Sequence, residues 1–439
     1  MLGSGGAIRI HRVRDDALVD SIPLGEEVRA IGYPGQPRAR HVRFTPVTVE
    51  GSTLLVQPHL GKLDYATDYY VLVDAGVVPG SAVGRWTFRT ADAAPSGTTL
   101  SVNDDGRADF RTVQGALNHA MRAVDKATPV TVDIRNGRYR ELLFILGKDK
   151  LRLRGESRDG VVIYATNNDG LNPGSGASQG LGAPSFSGGR ALLAVEESDL
   201  LTLENLTLRN TTLRANTRSG QAETLYFNVE GGRLVAKNAS FFSEQDTIQV
   251  KGYAWFWRTL IEGNVDFIWG ANRAAVFEES ELRSVGDSKD AQSGGYVVQA
   301  RTVASSDPGF VCLNSALTHG PGPKGNDVPP GATWLARSPG TASTWDNVAY
   351  INCRMGEHVA PAGWAGAGVN REPAPNPALA DAARGWREYG SMDLAGKPLD
   401  LSRRAGGYML TATEAAARFG SRKVIFSGFN GGEGWDPAP

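Results

Sequence analysis

Cysteine is nearly absent from this chain: Cys312 and Cys353 are the two in 439 residues. That is too few for a disulfide framework, and their spacing does not resemble a zinc site. Histidine is scarce too, at six residues. None of the six lies in the motifs below that carry the candidate Asp, Gln and Arg residues, which weighs against a Ser–His–Asp hydrolase. An excess of one charge is also missing: 46 Lys and Arg face 47 Asp and Glu, for a formal net charge of −1. Without a long run of either sign, neither nucleic acid nor an anionic membrane surface is indicated as a partner. No apolar run is long enough to span a bilayer, so membrane insertion is not expected. The opening "MLGSGGAIRI" has no basic region followed by an apolar segment, and no signal peptide is visible in it. That leaves a cytoplasmic protein, or one whose leader has been removed.

Glycine, at 54 residues, is plentiful, as a turn-rich and mainly β protein requires. The length suggests more than one domain. Residues 1–93 contain short alternating runs such as "AIRIHRV", "STLLVQPHL" and "DYYVLVDAGVV". Such runs predict a small β-sandwich. The stretch "LDYATDYYVLVDAGVV" resembles the bacterial Ig-like domains attached to secreted enzymes. No chemical constellation occurs in it, so this part reads as a spacer or accessory module. Residues 91–101, "ADAAPSGTTLS", read as a linker. Beyond it, Val113, Leu117, Ala120 and Val124 share one face at helical spacing and predict a short amphipathic helix.

From Thr131 onwards short β-rich runs recur, with little helical pattern between them. Asn238, Thr259 and Ser280 align at intervals of 21 residues. A strand repeat of that period predicts a parallel β-helix, in which each coil stacks on the last. The expected boundaries are 1–93 for the accessory domain and 94–439 for the β-helix. In that frame Asp246, in "EQDTI", and Asp266, in "NVDFIWG", lie 20 residues apart, close to one coil. Equivalent positions on neighbouring coils are separated by about 4.8 Å. Two carboxylates at that range cannot both ionise cheaply, so their pKa values are forced apart. One is then suited to attack and the other to supply a proton.

Other motifs have simpler readings. "GASQG" fits G-x-S-x-G around Ser178 but lies in a Gly/Ser-rich loop, with no strand before it and no helix after it. The glycosylation patterns at Asn205, Asn210 and Asn238 read as turn or ladder asparagines. Aligning "FVCLNS" with "VAYINC" puts Cys353 opposite Ser315, which predicts two free thiols. Thr411 and Glu414 form a capping box for a short surface helix ending at Gly420.

In chain order, "DGRADFRTVQGAL", "NGRYRE", "SGQAETLYF", "EQDTI", "GNVDFIWG", "GYVVQARTV", "WLARS", "GEHVAPAGW" and "REYG" resemble the pectin methylesterase family of carbohydrate esterases. The resemblance spans roughly residues 102–426. It implies a right-handed parallel β-helix, in agreement with the periodicity. It further implies Asp266 as nucleophile, Asp246 as general acid/base, Gln221 and Gln245 as oxyanion donors, and Arg337 as the partner of Asp266. No cofactor or metal is implied. The expected substrate is pectin or an oligogalacturonide, the expected state a monomer, and the expected location secreted, periplasmic or cell-surface.

Departures from the family pattern bear on the substrate. The arginine is preceded by Ala336 and followed by Ser338 and Pro339, where the family has glycine before it and Pro-Trp after it. Glu244 and Gln249 stand where aromatics are usual, and Trp269 stands where phenylalanine is common. Sugar rings bind by stacking on aromatic faces, so the groove floor is expected to be rebuilt. Trp269 and the candidates Trp334, Trp345 and Trp364 could supply the surface, with core packing the competing role for the last three. Three other readings stay open at this point. The first is an esterase of the same fold acting on an oligouronide or acyl thioester. The second is a glycoside hydrolase using the paired carboxylates. The third is a non-catalytic carbohydrate-binding β-helix.

Overall fold

Three parallel sheets run through the chain after residue 98 in the computed structural model, which describes residues 2–79, 84–175, 189–341, 343–365 and 380–439. Sheet A has eleven strands, from Thr99–Val102 to Tyr408–Met409. Sheet B has nine, from Gly137–Arg140 to Met392–Asp393, and sheet C has eight, from Leu143–Leu146 to Trp364–Ala365. Each complete coil adds one strand to each sheet, and the terminal coils are partial. Gly252–Trp257, Leu260–Gly263 and Val265–Gly270 make one such coil. This is a parallel β-helix in a mainly β chain, as the repeat predicts.

The core is built from rows of side chains in register. On sheet A one inward row runs Leu203, Ala236, Phe256, Phe277, Cys312 and Tyr350. Phe256 and Phe277 stack at 4.7 Å between centroids. Cys312 and Cys353 are buried free thiols, and Cys353 donates to the Cys312 carbonyl at 3.3 Å. Its neighbour Arg354 pairs with Ala316, so Cys353 does lie opposite Ser315.

The corner between sheets A and B repeats a left-handed residue. Asn205, Asn238, Arg258, Glu279, Asn314 and Asn352 have φ between 45° and 54°. Asparagine tolerates that conformation better than most residues, which explains four of the six. Asn238 donates to Asn205 at 2.8 Å, and Asn210 is buried. The 21-residue alignment of Asn238 with Thr259 needs correcting. Ser240 pairs with Leu260, so Ala239 matches Thr259 and Ser280, and Asn238 matches Arg258. The coil from Asn238 to Arg258 is 20 residues, one shorter than the next.

The helix Val113–Ala123 closes the first coils and buries Val113, Ala116, Leu117 and Ala120. Its first turn is held by Glu141, which accepts from Val113 N at 2.8 Å and Gln114 N at 2.9 Å. Near the other end, Ala412–Phe419 carries the expected capping box of Thr411 and Glu414. It is not purely a surface helix. Ala415 and Phe419 are buried against Tyr253, Trp255 and Val276 on the outer face of sheet A.

The N-terminal residues form antiparallel strands, as a small β domain does. Leu18–Pro23, Ala7–Arg12, Asp68–Val73 and Trp86–Arg89 make one sheet. Two hairpins, Glu27–Ile31 with Arg40–Phe44 and Val47–Glu50 with Thr53–Val56, form two separate sheets beside it. Ile8, Ile10, Ile22, Tyr69 and Val71 make a core of their own. Ile31 and Val42 instead pack into the β-helix core. Among the described residues no helix is long and apolar enough to cross a membrane.

Candidate active site

Side chains alternate on sheet C, and that alternation sorts the candidates. One row, Ile248, Ile268, Val298, Ala336 and Trp364, faces the core. The next, Tyr226, Gln249, Trp269 and Gln299, faces outward, and Arg337 follows Ala336 in register with it. Trp364 therefore cannot serve as a sugar platform. It is 1% exposed and stacks on Trp386 at 5.4 Å. Trp334 is half-buried and pairs with Tyr296 at the start of its strand. Trp345 is half-buried, with the Arg384 guanidinium 5.7 Å from its ring.

Asp246 and Asp266 occupy equivalent positions on consecutive coils. Gln245 bridges Val265, and Asp246 N donates to Val265 O at 3.0 Å. Both aspartates have positive φ, 63° and 49°. A non-glycine residue held there costs on the order of 1–3 kcal/mol, and such strain clusters where side chains are aimed for function. Both carboxylates are almost fully buried.

Their surroundings differ. Asp266 is gripped by Arg337, with Nε 2.7 Å from Oδ1 and Nη2 on Oδ2. Gln299 Nε2 adds a third bond at 3.0 Å. The Arg337 guanidinium lies over the Tyr296 ring at 4.9 Å, which fixes its plane. Burial raises the Asp266 pKa, and Arg337 draws it only partway back, so it stays above the ordinary carboxylate value. Asp246 goes well above the ordinary carboxylate range, through burial first and then the charges of Glu223 and Asp266. Both carboxyls are raised, Asp246 the further, so Asp246 is the better suited of the two to hold a proton.

Asp246 also has a cation beside it, with Arg190 Nη2 3.2 Å from its Oδ2. Arg190 is itself neutralised by buried Glu223, with Nε 2.9 and 3.0 Å from the two carboxylate oxygens. The pair therefore adds little net charge, and burial decides the state of Asp246.

The two glutamines are oriented by the same chemistry. Arg190 Nη1 donates to Gln221 Oε1 at 3.0 Å, and Arg214 Nε donates to Gln245 Oε1 at 2.8 Å. A guanidinium has only donors, so each must face the amide oxygen. That leaves each amide NH2 free to turn toward the carboxylates. Gln221 Nε2 is 3.1 Å from Asp246 Oδ2.

Several of these groups were missed in the sequence. Gln299 and Arg301 lie in "GYVVQARTV", and Glu223 lies in "SGQAETL", stretches in which nothing in the spacing sets these side chains apart. Arg190 follows a Gly/Ser-rich stretch and had no distinguishing pattern. Trp269 lies between two guanidiniums, Arg301 at 5.0 Å and Arg190 at 5.8 Å from its ring. Glu244, in place of an aromatic, accepts from Arg214 N, Ser288 N and Ser288 Oγ at 2.7–2.8 Å. It pins two loops beside the groove. Ser178 lies outside the described residues. Among the described residues no group of three His, Cys, Asp or Glu is placed to hold a metal.

The pectinesterase family profile matches residues 99–373, more than half of the chain. A pectinesterase from Ralstonia nicotianae is 25% identical over 329 residues, covering 70% of this chain and 81% of that protein. Pectinesterase A from Dickeya dadantii is 28% identical over 228 residues, covering 49% and 59%. Among solved structures, a pectin methylesterase from Erwinia chrysanthemi superposes with a TM-score of 0.57 at 25% identity. It covers 79% of this chain and 100% of its own. One from Yersinia enterocolitica gives 0.54 at 26% identity, covering 73% and 100%. The matched segment contains both aspartates, both glutamines and Arg337, and the chain belongs to the pectinesterase family of carboxylic ester hydrolases.

Proposed function

We propose that this esterase removes methyl esters from galacturonosyl residues of pectin, with Asp266 as nucleophile and Asp246 as general acid/base. The observation that carries the reading is the unequal pair of stacked carboxylates: Asp266 held by Arg337, Asp246 pushed toward its protonated form. Asp266 attacks the ester carbonyl carbon. The tetrahedral oxyanion receives hydrogen bonds from the amide groups of Gln221 and Gln245, each worth about 3 kcal/mol of barrier. Asp246 gives its proton to the departing methoxide, which leaves as methanol. The acyl-enzyme anhydride is then hydrolysed. Asp246, now a carboxylate, takes a proton from water as the water attacks the acyl carbon, and Asp266 is released with the free uronate. Arg337 stabilises the carboxylate both before attack and after release.

Trp269 and Trp334 contribute the apolar surface of the groove in this reading, with Trp269 covered in part by Arg190 and Arg301. Residues 1–93 form the accessory domain and 94–439 the catalytic one. A polysaccharide substrate places the enzyme outside the cytoplasm. The test is methanol release from methyl-esterified pectin, with reducing ends assayed in the same samples. Methanol without new reducing ends is expected. New reducing ends without methanol would instead make the carboxylates a glycosidase pair. An ester preference confined to oligouronides or thioesters would show as methanol release from neither polymer nor oligomer, or from oligomer alone.

A further inference from the structure

The N-terminal module reaches the active site through one buried side chain. Arg40, on the strand Arg40–Phe44, is fully buried. Its Nη1 donates to Leu143 O at 2.8 Å and Leu192 O at 3.2 Å. Its Nη2 donates to Gly189 O at 2.9 Å and also to Ala191 O. Three of those four carbonyls belong to residues 189–192, the segment that presents Arg190. Asn167 holds the same segment from the other side, with Nδ2 3.1 Å from Gly189 O and 2.9 Å from Ala191 O. Asn167 is in turn tied to the module: its Oδ1 accepts from Asn172, whose own Oδ1 accepts from Arg43 N at 2.7 Å. Burial of Ile31 and Val42 in the β-helix core anchors the hairpin that carries Arg40.

We infer that Arg40 is a positioning residue for the esterase site, acting through residues 189–192 on Arg190 and, through Arg190, on Gln221 and Asp246. The inference rests on the reading of the site given above. Arg190 makes bonds to Glu223, Gln221 and Asp246 at once. A guanidinium that serves three partners tolerates little displacement of its own backbone. A guanidinium fork also suits Arg40's task, because its two terminal nitrogens span the Leu143 carbonyl and the segment leading into the neighbouring strand Leu193–Glu196. On this account the module is a structural part of the catalytic unit, not a spacer.

The experiment compares kcat and KM for methanol release by full-length parent, Arg40→Ala, Arg40→Lys, Arg190→Ala and the Arg40→Ala/Arg190→Ala double variant. Rates are normalised to folded protein by near-ultraviolet circular dichroism. Arg40→Ala is expected to lower kcat roughly 10- to 100-fold, the scale of a displaced catalytic group. KM should move by less than about threefold, because the groove surface is untouched. In the double variant the Arg40 effect should vanish, since its route to the site is already cut. A merely structural Arg40 would reduce the amount of folded protein and leave kcat per folded molecule within about twofold, overturning the inference. Losses that multiply in the double variant would overturn it as well. Should Arg40→Ala not fold, Arg40→Lys carries the test. It keeps the charge but lacks the fork, and an intermediate kcat loss that disappears beside Arg190→Ala is expected. A parent that releases no methanol would instead sink the functional reading itself.

Discussion

In the proposed mechanism Asp246 and Asp266, two identical side chains, do opposite work: Arg337 holds Asp266, and burial first raises Asp246. Asp266 must be ionised to attack, so activity is lost as pH falls through its pKa. Asp246 must be protonated to release methanol, so activity is lost as pH rises through its own. Two substitutions move these limbs separately. Glu223→Gln removes the first-ranked charge that raises Asp246 while leaving Arg190 beside it. Its pKa should fall, and the alkaline limb of kcat should move to lower pH. Arg337→Gln removes the group that holds Asp266 down, so the acid limb should move to higher pH. pH–rate profiles of the two variants check both, and limbs that stay in place or move the other way would contradict the assignments. Gln221→Ala should lower kcat about 100-fold, the loss of one oxyanion donor, with little change in KM. The aspartates were legible in the sequence because one coil of spacing stacks them. Arg190 was not, because it comes from a segment outside the repeat and leaves no periodic mark.

Elements determine which tryptophans meet solvent. Trp364 was a plausible groove residue from sequence, where the register of sheet C is invisible. Its place in the row of Ile268, Val298 and Ala336 turns it inward. Trp364→Ala should therefore cost about 3–5 kcal/mol of stability with KM unchanged, as denaturant unfolding and kinetics would show. Loss of pectin affinity with stability intact would contradict the inward placement. The misaligned Asn238 has a related cause. A repeat whose coils vary by one residue fixes the period but not the register. The first helix offers a pH test. Glu141, buried at its N-terminus, is raised from 4.5 to about 7 by burial, which outweighs the two backbone N–H donors that favour its charged form. For an acid raised on folding, its contribution is full below 4.5 and is lost as pH rises through about 7. That difference amounts to at most about 3 kcal/mol. Between those pH values the parent should lose stability relative to Glu141→Gln in parallel urea titrations. Equal slopes would contradict the raised value.

For the molecule as a whole, the sequence carried the architecture because a β-helix writes its period into the chain. Alternating strands likewise marked the N-terminal residues as a small β domain. How that domain meets the β-helix was not legible. Arg40 looks like any surface arginine on a hairpin, and only the folded chain brings it against residues 189–192. The groove shows the same limit. Ser338 and Pro339 announced that a stacking residue had gone, but the guanidiniums beside Trp269 come from two distant segments. The whole account turns on Asp266 as the attacking group. Methanol release from esterified pectin by purified Asp266→Asn, with circular dichroism matching the parent, tests that most directly. A fall of at least about 1,000-fold is predicted, because the amide is a poor nucleophile. A rate close to that of the parent would contradict it.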